Sequence, residues 1–163
     1  MIRAAFAVLL LAVAPAAAAV SGDPINLQTI RQRLAELGPT ATVRELDGAG
    51  RWEQVTSRIG SGDARWIALA PELAKGADAG TAETLSISLA DALPKSPRAV
   101  LAVLDLKRRS NLSPERVCRA PLAQDTAERQ TAYRTSALLA VASVADARLD
   151  RARDACASRL QSL

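Results

Sequence analysis

Three features of the sequence predict an all-α fold. Bulky apolar residues recur at three- and four-residue intervals, most densely from Arg51 to Leu106, which gives each helix one face to bury. Glycines and prolines fall between helical windows instead of within strands, with Pro71 the exception inside one window. No segment shows the sustained β-branched alternation of a half-buried strand. The expected architecture is a compact helical-hairpin array of about six to eight helices, weakly HEAT/TPR-like and clipped by one disulfide.

The chain opens with Met1-Ile2-Arg3, an apolar run to Val13, Pro15 and four alanines from Ala16. That pattern of cation, apolar core and small-residue cleavage site is a secretory signal peptide over residues 1–19, which leaves residues 20–163 as a single helical domain. The run is too short, too alanine-rich and too interrupted for a retained anchor. Without a cysteine at the cleavage point, a lipid-modified N-terminus is not expected. The segment Ala137 to Ala145 is also too short to span a bilayer, so no stable membrane insertion is expected after cleavage. The expected location is periplasmic or secreted.

Asp23-Pro24 supplies a cap followed by a first-turn proline, and Leu27, Ile30, Leu34 and Leu37 then mark one helical face. Gly38-Pro39 is expected to stop that helix. Thr42 and Glu45 suit a capping box with Leu46 inside, although Thr42-Val43 alone would also suit a strand. Trp52, Val55 and Ile59 define the next helix, from about Arg51, and Gly60-Ser61-Gly62-Asp63 ends it and caps its successor. Trp66, Ile67, Leu69 and Leu73 follow, with a kink or restart expected at Pro71 and closure at Gly76. A helix beginning at Asp78 or Thr81 ends at Leu93-Pro94. Ser96-Pro97 opens another that is expected to reach about Lys107, with Val100, Leu101 and Leu104 inside.

Overlaid at an offset of 33 residues, Trp52 falls on Leu85, Asp63 on Ser96 and Ile67 on Val100. That period belongs to helical-hairpin repeats, although two degenerate copies fall short of the usual array. Ser113-Pro114 begins a short helix carrying Val117 and Cys118, broken by Pro121. Asp125 and Glu128 resemble a capping box for the last helical region, which runs on or breaks near Val144. Beyond it Leu149, Ala152, Cys156, Leu160 and Leu163 share one face.

Cys118 and Cys156 are the only two cysteines, so an oxidising compartment allows one intramolecular bridge. In the chain-entropy model it would stabilise the fold by roughly 3–4 kcal/mol. With histidine absent, zinc has too few ligands, and Ser/His or Cys/His nucleophile pairs are excluded. Asp78 with Glu83, and Asp146 with Asp150, are the formal carboxylate pairs, and helix capping and solvation explain them equally well. The glycine-rich turns follow no strand and lack a Lys-Ser/Thr phosphate signature. No catalytic, cofactor-binding or metal-ligating residue is therefore assigned.

The net charge of +4 falls to +3 once Arg3 leaves with the leader, and the cations are mostly arginine. Lys107-Arg108-Arg109 is the densest basic cluster; it suits a helix C-terminus, or contact with lipid or protein. Arg148, Arg151 and Arg153 alternate with Asp146, Asp150 and Asp154. Export and the scarcity of aromatics argue against nucleic acid. Trp52 and Trp66 lie on apolar faces; core packing is their simplest role, and partial exposure would make them interaction anchors for a protein partner.

Trp52-x-x-Val55, Ile59-x-Ser61-Gly62-Asp63-x-x-Trp66 and Asp91-Ala92-Leu93-Pro94 together resemble a group of small exported proteobacterial helical proteins without an assigned activity. The resemblance spans roughly Gly50 to Cys118, with Cys156 as the later partner. It implies an exported, helical, disulfide-containing domain and no site residues. The expected function is a non-enzymatic helical module that binds an unknown protein. An immunity-type inhibitor of an envelope-targeted toxin and a carboxylate-dependent envelope hydrolase are the alternatives.

Overall fold

The computed structural model describes residues 25–107, 110–119 and 126–162. The proposed leader, Asp23-Pro24, Arg108, Arg109, Pro121, Asp125 and Leu163 lie outside them. The fold is an all-α array with one disulfide, and no strand occurs among the described residues.

Helix α1 (Leu27–Gly48) is capped by Asn26, whose side chain accepts from Gln28 N at 2.8 Å. Gly38 breaks it with φ 78° and ψ 169°, and a second helical run restarts at once through Pro39. Thr42 lies inside that run, its hydroxyl donating to Gly38 O at 2.8 Å, so neither a new cap at Thr42 nor a strand forms. The bend has a second consequence: Ile30 is buried and Leu34 partly so, but Leu37 is 47% exposed. Helical periodicity placed Leu37 inside; in the structure this last residue before the Gly38 break lies off the buried face.

Helices α2 (Trp52–Gly60) and α3 (Ala64–Ile67) are joined by the expected turn, with Gly62 at φ 90° and Asp63 accepting from Arg65 N at 2.9 Å. Helix α4 (Ala70–Gly76) begins afresh with Pro71 in its first turn, where the missing N–H leaves no bond unmade. Asp78 caps α5 (Ala79–Ala92). Helix α6 (Pro97–Val103) ends well before Lys107. Asp105 N donates to Leu112 O at 3.0 Å, and the Asp105 carboxylate accepts from Lys107 N, also at 3.0 Å. These bonds satisfy the backbone in a loop, in competition with helix continuation. Lys107 therefore does not sit in a last helical turn, contrary to the dipole role expected for it.

Helix α7 (Pro114–Val117) is one turn, and α8 (Ala127–Ala142) is capped by Thr126 rather than Asp125. The break near Val144 is present. Asp146 caps a single 3-10 turn, Ala147–Leu149, which leads into α9 (Asp150–Gln161).

Helix α2 lies along α5 and α3 along α6, so segments related by the offset are neighbours in space. Their turns are stitched together: Lys95 Nζ donates to Gly60 O at 2.6 Å, and the Ser96 hydroxyl to Gly62 O at 2.5 Å. Helix α1 packs on α4, and α9 closes the array against α6, α7 and α8. One continuous apolar core runs from Ile30 and Val43 through Ile59, Leu73, Leu89 and Leu101 to Val141 and Leu160. Cys118 and Cys156 are fully buried in it and bonded, with Cα atoms 5.3 Å apart. The bridge ties α9 to the end of α7.

Candidate functional site

Polar residues singled out by the sequence are engaged in holding the fold. Asp78 accepts from Thr81 N at 2.9 Å and from its hydroxyl at 2.7 Å, and these bonds keep its carboxyl below the usual range. Glu83 pairs with Arg119 and, at 3.8 Å, with Arg116, which links α5 to the α7 region. Asp150 pairs with Arg153 at 2.8 Å. Asp146, its side chain only 11% exposed, is gripped by Arg98 at 2.8 Å and Arg148 at 3.0 Å. Its pKa is lowered first by the Arg148 side-chain hydrogen bond, then by Arg148 N and the two positive charges. Among the described residues no group of three or more Cys, Asp or Glu side chains is placed to hold a metal ion.

Trp52 and Trp66 are 4% and 5% exposed. The Trp52 indole N–H donates to the Thr84 hydroxyl at 2.7 Å, which satisfies its one donor while the ring packs in the core. Neither ring presents the partly exposed surface that an anchor needs, so the interaction-anchor expectation is corrected to core packing. Tyr133 is likewise structural. Its hydroxyl donates to Ala90 O at 2.9 Å, and burial, then the Asp91 charge, pushes its pKa above the ordinary phenol value.

The molecule's surface offers a different site, an open groove of about 680 Å³ between α3, α6 and the end of α8. Ala64 and Ala68 form one wall, Ala99, Ala102 and Val103 the other, and Val144 closes one end. Arg98 is the charged residue in its lining. A second concavity of about 580 Å³ shares Ala102 and Val103 and continues past Pro71 and Ala74 to Leu104 and Leu112. The two meet at Ala102 and Val103 on the outer face of α6 and make one strip, apolar along its alanine walls and more polar toward Lys75, Asp105, Ser110 and Asn111 at its far end.

The strip arises because α3 and α4 turn Trp66, Ile67 and Leu73 inward, which leaves Ala64, Ala68 and Pro71 outside at helical spacing. Ala99 and Ala102 are the outer residues of α6, opposite Val100 and Leu101. Sequence reasoning passed over these alanines, since in a chain rich in alanine nothing distinguishes them before the two helices are set side by side. Leu139, 70% exposed on α8, lies one helical turn from Ser143 in the groove lining and extends the apolar surface.

Fold and groove together define a helical-array protein with an open apolar cleft, and its lining holds neither a nucleophile–base pair nor a cluster of acids. Comparison of the chain with family models, with curated proteins and with solved structures gives no match.

Proposed function

We propose that this protein is an exported, non-enzymatic helical module that acts by binding another protein, with the strip along α6 as its contact face. The observation that carries this reading is the concave, apolar strip itself, extended by Leu139 at its margin. Apolar surface gathered in a concavity and bordered by charge is what an interface core requires. The leader-like first 19 residues and the buried cystine support action in an oxidising compartment, periplasmic or extracellular. Among the described residues no helix is long and apolar enough to cross a membrane.

Affinity capture from envelope extracts tests the reading, using the mature protein beside an Ala102→Arg variant that blocks the groove with an exposed side chain. The wild type should recover a specific protein that the variant does not. Recovery of no specific protein, together with turnover of a metabolite by the purified chain, would overturn it.

A further inference from the structure

Resting on the protein-binding reading above, we propose that the α6 strip receives an acidic amphipathic helix of a protein partner. Its apolar stripe would lie in the groove and its carboxylates against Arg98 and Arg148. The shape favours an elongated occupant. The groove runs from Val144 past Ala102 into the concavity ending at Leu112, and Leu139 prolongs the apolar surface at the other end. Its walls are alanines, so the bulk needed to fill it must come from the visitor's side chains.

Every wall is a helix or a loop, and no strand edge exists among the described residues to template β-addition. An apolar stripe at helical spacing is then the recognition mode that fits.

Charge selects the sign of the occupant. At one mouth Arg98 and Arg148, with side chains 66% and 82% exposed, share the mostly buried carboxylate of Asp146. A guanidinium has five N–H donors, and Asp146 engages only part of each set, so the mouth presents cationic donors and a local charge of +1. At the other end Lys75 and Asp105 both line the concavity and their charges balance, so the selection by charge is made at the Arg98 mouth. Glutamates flanking an apolar stripe complement this mouth; lysines would be repelled by it.

Two labelled helical peptides with the same leucine stripe, one carrying glutamate elsewhere and one lysine, provide the probe when titrated into the disulfide-intact mature protein by fluorescence anisotropy. The glutamate peptide should bind at least tenfold more tightly than the lysine peptide. Ala102→Arg, and independently Ala68→Arg, should abolish binding while leaving the circular dichroism unchanged. Arg148→Glu should reverse the preference between peptides. Equal binding of both peptides, or binding indifferent to Ala102→Arg, overturns the proposal. So does competition from phosphatidylglycerol vesicles whose own binding needs an open groove, which would assign the strip to lipid.

Photo-crosslinking in producing cells separates the two levels of inference. Adducts from benzoylphenylalanine at position 102 that map to an acidic helical segment support both. Protein adducts only from position 37 remove the groove proposal and leave protein binding standing. No protein adduct from positions 37, 102 or 139 removes both.

Discussion

Gly76 is the residue where the array tolerates least change. A methyl group there would lie 2.3 Å from the carbonyl carbon and oxygen of Pro39 and 2.6 Å from Thr40 N. These are backbone atoms of the α1 bend, so no rotamer change relieves the overlap. Gly76→Ala should therefore destabilise by about 1–3 kcal/mol as α1 and α4 are forced apart. Gly48→Ala, with nothing within 4 Å, should stay within about 0.5 kcal/mol of wild type. Urea midpoints of the two variants check this. The sequence marked Gly76 only as the end of a hairpin, because what it touches lies far away in the chain. Trp52 and Trp66 show the opposite case. Helical spacing alone put both on inward faces, and both are inside. Their burial predicts a blue-shifted tryptophan emission maximum in the folded protein. A red-shifted maximum would contradict it.

At the scale of elements, the starts of helices were the most legible feature, because a cap is a local interaction. Asp63 caps α3 as expected, and of the two starts offered for α5, Asp78 and Thr81, the cap is Asp78. The end of α6 was misplaced by four residues, because Asp105 and Leu112 compete for the backbone through a contact that spacing does not reveal. These caps also set the acid response. Asp63 is lowered to about 2, chiefly by the Arg65 side-chain hydrogen bond, and Asp78, Asp105, Asp146 and Glu128 shift in the same direction. A carboxyl whose folded pKa lies below its unfolded value contributes fully above the unfolded value and ceases to contribute as pH falls through the folded one. Stability should thus be flat above about pH 5 and fall from there toward about pH 2, read as a declining urea midpoint. Asp63→Asn should flatten part of that slope. The bridge acts at the same scale. It closes a separation of 38 residues and joins α7 to α9, so Cys118→Ala with Cys156→Ala should cost roughly 3–4 kcal/mol. Amides of α9 should then exchange faster than those of α5.

Across the whole molecule, the 33-residue offset turned out to be a statement about packing. Trp52 and Leu85 lie on helices that run side by side, and Lys95 and Ser96 reach back to the turn that precedes α3. The groove was illegible because it is made by two helices laid together with their small residues outward, and no single residue announces it. A repeat array held only by neighbouring contacts can lose its ends first. Here the core is continuous from α1 to α9, and the cystine lies inside it rather than at a margin. Tyr133 fastens α8 to α5 through Ala90, and Arg98 joins α6 to Asp146 beyond α8. The two ends are therefore tied to the middle by burial, by polar bonds and by a covalent link, so local release of one hairpin would expose core shared with the others. The oxidised protein should unfold in a single cooperative transition. Tryptophan emission reports on α2 and α3, and far-ultraviolet circular dichroism on every helix, so their urea midpoints should coincide. An early loss of helicity with tryptophan emission unchanged would mean that α8 and α9 form a separate cooperative unit, and that the groove's Val144 end opens while its Ala68 wall stays folded.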